Sequence, residues 1–239
     1  MPAPKWQRWK VVRITKETPD VNTYRLEPVE GKSISFKPGQ FVNLVLLDEK
    51  GGLKGAKPYS VASSPFDTKG IELTIKLSGG PFTSQLAGLK EGAIVGIMGP
   101  FGSFTYDDKV KDVVVLTGGV GITPFRSLWR YVTDKGTDTN VTIICSCRTP
   151  NDVIYKKELE GLPMKNPLIN VTLTYTRGVP PNWTGLRGRI DIGMVKKVVG
   201  PLPGNDFYIC GPAVMVIELE KALIDAGVDT GKIHAEKWG

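Results

Sequence analysis

Apolar and polar residues alternate in short runs through the first 110 residues of the chain. Turns rich in glycine, proline, aspartate or lysine bound six short stretches that are predicted to be β-strands: 10–16, 22–27, 41–47, 59–63, 71–77 and 93–98. No long segment with helical periodicity interrupts them. The first half of the chain is therefore predicted to be a small, closed antiparallel barrel of six strands.

The pattern changes near residue 110. A compact apolar run at 113–116 is typical of a buried parallel strand, and 141–146, 171–176 and 206–210 are predicted to be further strands. The segments between or after them predict helices at 124–133, 155–160, 192–198 and 213–226. Strands that alternate with helices predict a doubly wound α/β domain. We place the boundary in the polar stretch 106–111, which predicts two domains, 1–108 and 109–239.

Composition and cysteine content fit a globular protein from a reducing environment. The 239 residues, 41% of them hydrophobic, can bury two modest cores. Cys145, Cys147 and Cys210 are too few for a disulfide framework and lack C-x2-C spacing, which argues against a metal site and favours a cytoplasmic setting. No run reaches the roughly 20 apolar residues that span a bilayer, and the first ten residues are not expected to be a signal peptide.

The chain carries a formal charge of +7, with 31 basic and 24 acidic residues. Five cations precede the first acid: Lys5, Arg8, Lys10, Arg13 and Lys16. A positive field favours acidic proteins or anionic ligands such as dinucleotides, and would also suit nucleic acid or an anionic membrane. A solvated basic face is the alternative that needs no partner.

A glycine-rich segment, residues 117–124 (TGGVGITP), joins the first buried strand of the second half to its first helix. Gly119 and Gly121 would let the backbone approach a pyrophosphate closely. Thr123 suits an N-cap and Pro124 a first helical residue, so the helix start would offer N–H groups to the phosphates. A purely structural turn is the alternative, but the position between strand and helix favours a dinucleotide site.

Arginines, and no acid, follow the next strands. The second strand of this half ends with Arg148, Arg177 follows the third strand, and Arg189 lies further along. An acid would bind the ribose hydroxyls of NAD, whereas guanidinium groups suit a 2′-phosphate. The sequence therefore favours NADPH over NADH, against the alternative that each arginine forms a surface ion pair.

Residues 57–63 (KPYSVAS) combine a cation, an aromatic ring and hydroxyl groups. Tyr59 can stack on a planar ring, a hydroxyl can hydrogen-bond a ring nitrogen, and Lys57 can pair with a phosphate. Periodicity alone favours an ordinary edge strand here. The case for a flavin site comes from the segments considered next.

Segments along almost the whole chain resemble, in order, those of the ferredoxin–NADP reductase family. Residues 57–63 are similar to its R-x-Y-S-x-x-S flavin motif, with lysine in place of arginine at position 57 and the planar fork lost. Further similar segments are 36–41, 80–86, 99–104, 118–124, 183–185, 188–190, 210–212 and 233–239. The resemblance implies a flavin-binding barrel and a nucleotide-binding α/β domain in an NAD(P)H-dependent reductase.

The resemblance also implies roles for individual residues. Tyr59 would stack on the isoalloxazine, Ser60 would hydrogen-bond the hydride-accepting nitrogen, and Cys210 and Glu236 would lie near the hydride-transfer centre. Ser60, Cys210 and Glu236 are thus the expected catalytic residues. The expected cofactor-binding residues are Lys57, Pro58, Tyr59, Ser60, Gly80, Thr83, Ser84, Gly119, Gly121, Thr123, Pro124, Arg148, Arg177, Gly211 and Trp238.

The implied cofactors are FAD, with FMN as the alternative, and NADPH or NADH. We expect electrons to pass through the flavin to a separate acidic carrier such as a ferredoxin or flavodoxin, with no nucleic-acid partner and no integral membrane segment. The alternatives are a reductase of free flavin or a small oxidant, and an electron-input subunit of a larger complex. A basic binding module, with Trp6 and Trp9 touching nucleic acid or a membrane, is a non-enzymatic alternative.

Overall fold

The computed structural model describes residues 6–238. It contains two compact units. The first, the barrel unit, comprises the described residues up to Tyr106 together with Thr123–Asp134; the second, the sheet unit, comprises Asp107–Ile122 and the chain from Lys135 onward. These units are defined by spatial packing, and each combines two separate segments of the chain. The predicted domains 1–108 and 109–239, which are divided at a single boundary, therefore stay a prediction.

Six antiparallel strands form the barrel unit: β1 (Gln7–Thr18), β2 (Val21–Pro28), β3 (Phe41–Leu47), β4 (Leu53–Ser60), β5 (Ile71–Lys76) and β6 (Ile94–Phe101). They pair in the order β4-β3-β6-β1-β2-β5. A β-bridge between Val61 and Leu73 joins the chain just after β4 to β5. Beside it, the amide of Ala62 donates to the carbonyl of Glu72 at 2.8 Å. These contacts close the sheet, and the predicted six-stranded antiparallel fold is confirmed.

Inward-facing side chains fill the barrel. In β1, Trp9 and Val11 are completely buried whereas Arg8 and Lys10 are exposed, which is the alternation expected of a sheet with one solvated face. The hydroxyl of Tyr24 in this core donates to the carbonyl of Leu86 at 2.9 Å. That bond fastens a short helix, α1 (Pro81–Ala87), to the barrel.

Strand β4 begins six residues earlier than predicted, at Leu53 instead of residue 59. Leu53, Lys54 and Ala56 are exposed, so this part of the strand lacks the apolar alternation that makes a strand visible in sequence. Only Tyr59 and Ser60 of the predicted segment belong to the strand, because the chain then crosses towards β5.

Six parallel strands form the sheet unit: β7 (Asp112–Gly118), β8 (Asn140–Cys147), β9 (Ile169–Tyr175), β10 (Leu186–Arg187), β11 (Asp206–Pro212) and β12 (Ile233–Trp238). The strand order is β10-β9-β8-β7-β11-β12. Four further helices lie along the second half of the chain: α2 (Thr123–Lys135), α3 (Lys156–Lys165), α4 (Ile192–Val199) and α5 (Ala213–Asp225). The doubly wound parallel sheet is thereby confirmed.

Two of these strands were not predicted. β10 has only two residues, and β12 pairs with β11 alone and carries charged residues between its apolar ones. Neither offers the continuous apolar run that marked the central strands. No helix within residues 6–238 is long and apolar enough to cross a membrane.

The strand order reverses between β7 and β11, and open α/β sheets bind ligands where such a reversal lies at the carboxyl ends of the strands. The glycine-rich segment crosses this point as a 3₁₀ turn, Gly119–Ile122. A Cβ atom on Gly121 would lie 2.3 Å from the carbonyl oxygen of Cys210, and Gly119 has a φ of +57°. Glycine is therefore required for the turn to lie against the end of β11.

Gly121→Ala should destabilise the sheet unit, because the new methyl group collides with a backbone carbonyl and not with a movable side chain. We expect the free energy of unfolding to fall by about 1–3 kcal/mol, as for other overpacked sites. Gly161→Ala in α3 is the matched control. Its Cβ meets nothing within 4 Å and alanine favours a helix, so it should stabilise slightly. Urea unfolding followed by circular dichroism measures both; equal stability of the two variants contradicts the close approach.

Candidate functional site

The two segments predicted to bind flavin, residues 57–63 and 80–86, meet in the barrel unit at Phe82. The ring centroid of Tyr59 in β4 lies 6.3 Å from that of Phe82 in α1, with 29° between the planes. The Nζ atom of Lys57 lies 5.8 Å from the centroid of the same ring. Thr83 and Ser84 follow Phe82 directly. Two predicted cofactor-binding residues, Tyr59 and Lys57, thus lie beside an aromatic side chain that the sequence did not indicate.

The surroundings of Phe82 fit a flat aromatic group. A Cβ atom on Gly55 of β4 would lie 3.3 Å from the Phe82 ring, so the glycine gives the ring its place against the strand. Burial, helped by the neighbouring phenol of Tyr24, raises the pKa of Tyr59 to about 12. Tyr59 therefore stays a neutral ring at ordinary pH, as stacking on an uncharged ring system requires.

The hydroxyl groups of α1 are engaged with the turn before the helix. Thr83 Oγ1 donates to the carbonyl of Gly80 at 3.2 Å, and Ser84 Oγ donates to that of Gly79 at 3.1 Å. A hydroxyl has a single hydrogen to donate. To donate to a phosphate oxygen, either hydroxyl would have to rotate away from its carbonyl.

Ser60 and Ser63 differ in their surroundings, although both belong to the flavin segment. Ser60 ends β4 and is 6% exposed. Ser63 is completely buried, and its Oγ accepts a hydrogen bond from the amide of Glu72 at 3.1 Å. Ser63 therefore supports the closure of the barrel, a role that the sequence did not indicate. Pro58, before these residues, is exposed.

In the sheet unit, two predicted catalytic residues lie level with each other. Cys210 of β11 is paired in register with Thr117 of β7 on one side and with Glu236 of β12 on the other. Cys210 is completely buried and Glu236 is partly exposed. Ser60, the third predicted catalytic residue, belongs to the barrel unit.

The carboxyl ends of β7 and β11 fit a ligand that carries polar atoms. The Oγ1 atom of Thr117 is buried and has no hydrogen-bond partner within residues 6–238. A Cβ atom on Gly211 would lie 3.2 Å from the carbonyl oxygen of Gly118, so the two strand ends approach as closely as glycine permits. An unsatisfied buried hydroxyl beside a glycine-lined strand end is consistent with a nucleotide site.

The start of α2 differs from the prediction. Thr123, predicted to be the N-cap, is instead the first residue of the α-helix, because the 3₁₀ turn Gly119–Ile122 runs directly into it. Thr123 and Pro124 are both buried.

Arg148 and Arg177 are neighbours at the ends of β8 and β9, since the amide of Arg177 donates to the carbonyl of Arg148 at 2.8 Å. Arg189 follows β10, and all three side chains are exposed. None of the three guanidinium groups forms an ion pair with a carboxylate in the described part of the chain. The nearby carboxylate of Asp152 accepts hydrogen bonds from the amide and hydroxyl of Thr149, at 2.9 and 2.6 Å.

Two predictions concern side chains outside the described part of the chain. The backbone of Trp238 is paired in register with Pro212, but its side chain is not described. Lys5 of the N-terminal basic cluster lies outside the described residues.

Two protein-family models match successive parts of the chain. Residues 8–106 match the oxidoreductase FAD-binding domain, and residues 115–221 match the oxidoreductase NAD-binding domain. These matches confirm the predicted cofactors, FAD and a nicotinamide dinucleotide.

The chain resembles individual reductases over nearly its whole length. It is 32% identical over 238 residues to ferredoxin–NADP reductase B of Sorangium cellulosum, with 96% of each chain covered. A flavohemoprotein of Bordetella pertussis is 29% identical over 98% of this chain, which spans 61% of that protein's length. A ferredoxin NADP⁺ reductase from Neisseria gonorrhoeae, solved with bound FAD and NADP, superimposes with a TM-score of 0.84 at 25% identity, covering 98% of this chain and 99% of that one. The chain belongs to the ferredoxin–NADP reductase family of FAD- and NAD(P)-binding oxidoreductases.

Proposed function

We propose that the protein is an NAD(P)H-dependent flavoprotein reductase that passes electrons through bound FAD to a separate electron carrier. The observation that carries this proposal is the pairing, in one chain, of two differently built sites. One is the cluster of Tyr59 and Lys57 around Phe82, in the part of the chain that matches an FAD-binding domain. The other is the glycine turn at the strand reversal, in the part that matches an NAD-binding domain.

Bound flavin supplies a two-electron acceptor that can release its electrons one at a time. Tyr59 would hold the flavin ring by stacking, and Ser60 would donate a hydrogen bond to it. Lys57, kept beside the ring of Phe82, would pair with a flavin phosphate. Cys210 and Glu236, level with each other on β11 and β12, would border the nicotinamide, where Glu236 would hold or pass on a proton.

NADPH is the proposed donor. Three exposed arginines follow β8, β9 and β10, and within residues 6–238 they form no ion pair with a carboxylate. They would offer planar, bidentate donors for a 2′-phosphate. The carboxylate of Asp152, the acid closest to Arg148 along the chain, accepts two hydrogen bonds from Thr149 through its Oδ2 atom.

The proposed acceptor is an acidic carrier protein such as a ferredoxin or flavodoxin. The chain has a net charge of +7, and the exposed cations of β1 include Arg8, Lys10 and Lys16. Such a field accelerates docking of an acidic protein, and the effect weakens with salt.

A second candidate acceptor is a further domain or subunit of a larger assembly. The observation in its favour is that this chain spans only 61% of the flavohemoprotein it resembles. The reductase chemistry is the same in both cases, and only the route by which electrons leave differs.

The first test is spectroscopic. The purified chain should be yellow, and under anaerobic conditions its visible absorption should bleach on addition of NADPH, with NADH titrated separately. Flavin that stays bound through gel filtration argues against a reductase of free flavin. A colourless preparation that takes up neither FAD nor FMN and ignores both nucleotides rules out the proposal.

Tyr59→Ala should reduce the flavin content of the purified protein, because it removes the ring that stacks on the isoalloxazine. Tyr59→Phe is the matched control, since it keeps the ring and loses only the hydroxyl. Flavin absorbance per protein measures the effect. Wild-type flavin content and turnover in Tyr59→Ala would remove the stacking role.

Arg148→Ala should raise the Michaelis constant for NADPH roughly tenfold or more, the usual cost of a lost hydrogen bond to a charged group. NADH, which lacks the 2′-phosphate, provides the control in the same assay and should be nearly unaffected. Steady-state kinetics with an artificial acceptor measure both constants. An equal rise for the two nucleotides contradicts the proposed phosphate site.

A further inference from the structure

A buried carboxylate in the barrel unit binds three arginines. Glu72 of β5 is 5% exposed. Its Oε2 atom lies 2.8 Å from Nη1 of Arg126 and 2.9 Å from Nη1 of Arg130, and its Oε1 atom lies 3.1 Å from Nη2 of Arg13. A carboxylate is costly to bury, so it is retained only where partners satisfy both oxygens, as they do here.

The three arginines come from two different elements. Arg13 lies on β1, within the barrel wall, whereas Arg126 and Arg130 lie one helical turn apart on α2 and reach the same oxygen. Glu72 therefore joins α2 to two strands of the barrel. This explains why Thr123–Asp134 belongs to the barrel unit although the sequence placed it in the nucleotide-binding half.

Aromatic contacts hold the same helix. The ring of Phe66 stacks on that of Tyr131 at 5.5 Å and 17°, and Tyr106 meets Tyr131 edge-on at 6.1 Å. Phe104 contacts Phe125 edge-on at 6.0 Å. Ion pairs and ring contacts therefore act on the same helix, and the ion pairs converge on a single carboxylate.

Glu72 also contacts the flavin segment through its backbone. Its amide donates to Ser63, and its carbonyl accepts from Ala62. Its side chain holds α2, whose first residues, Thr123 and Pro124, close the glycine-rich motif. One residue thus links the flavin segment to the start of the nucleotide helix by direct hydrogen bonds.

We propose that Glu72 is a positioning residue for the nicotinamide dinucleotide: it fixes α2, and with it Thr123 and Pro124, on the unit that carries the flavin segment. This role rests on the proposed reductase function. Loosening the helix should weaken nucleotide binding and slow flavin reduction while flavin stays bound, because the residues that touch flavin are unchanged.

A long-range electrostatic effect is the competing explanation, because three arginines and one carboxylate leave a net positive cluster that attracts an anionic nucleotide. Arg130→Gln and Arg13→Gln separate the two explanations. Each removes one positive charge beside Glu72, but only Arg130→Gln removes a contact between Glu72 and α2. Positioning predicts a defect in Arg130→Gln alone, whereas a charge effect predicts similar defects in both.

The experiment uses the flavin-loaded wild type and the variants Arg130→Gln, Arg13→Gln and Arg130→Lys. Hydrogen exchange of peptides within 123–134 reports whether α2 has loosened. Calorimetry gives the dissociation constant for NADP⁺, and anaerobic stopped-flow gives the limiting rate of flavin reduction by NADPH. Arg130→Gln should exchange faster, bind NADP⁺ roughly tenfold more weakly and reduce flavin roughly tenfold more slowly. Arg13→Gln should match wild type in all three, and Arg130→Lys should recover most of the loss.

Phe66→Ala removes a ring contact of the same helix and leaves the three arginines and Glu72 unchanged. It therefore tests the positioning role of α2 if Arg130→Gln does not fold. It should shift all three measurements in the same direction. Faster exchange of α2 with unchanged binding and rate overturns the positioning role, as does equal behaviour of Arg130→Gln and Arg13→Gln. A wild type that holds no flavin and binds no NADP⁺ contradicts the proposed function itself, which distinguishes the two failures.

Discussion

The barrel closes through the same segment that is expected to hold flavin. Val61 bridges to Leu73, and Ser63 accepts the amide of Glu72, so the last three residues of the KPYSVAS segment form the seam between the edge strands. Lys57 and Tyr59, just before the seam, are left to face Phe82. Closure sets the direction of the chain here, and the side chains of Lys57 and Tyr59 take their positions from it.

In the sheet unit, close contact between backbone segments fixes the course of the chain, as closure does in the barrel unit. The glycine turn lies against the end of β11 because neither Gly121 nor Gly211 carries a side chain. At the level of Cys210, the hydroxyl of Thr117 on β7 is buried and has no hydrogen-bond partner within residues 6–238. In both units, contacts made by the backbone determine the course of the chain beside the predicted binding residues.

Sequence predicted what periodicity and local spacing encode. The central strands of both sheets and the glycine turn were found, because buried strands and glycine positions leave local patterns. Phe82 was missed because an aromatic residue beside a flavin-phosphate turn looks like ordinary packing in sequence. Glu72 was missed for another reason. Arg126 and Arg130 lie 54 and 58 residues away from it along the chain, and no local sequence pattern marks such distant ion pairs.

The lysine at position 57 illustrates how neighbouring residues can offset a departure from a family motif. An ammonium group lacks the bidentate fork of arginine and sits on a flexible stem, so it loses more conformational freedom when it binds a phosphate. The ring of Phe82 lies under the Nζ atom, and a cation–π contact at an exposed site is worth about 0.5–1 kcal/mol. That energy restricts the stem before any ligand arrives. The ring thus supplies to Lys57 part of the orientation that the guanidinium plane would supply to arginine.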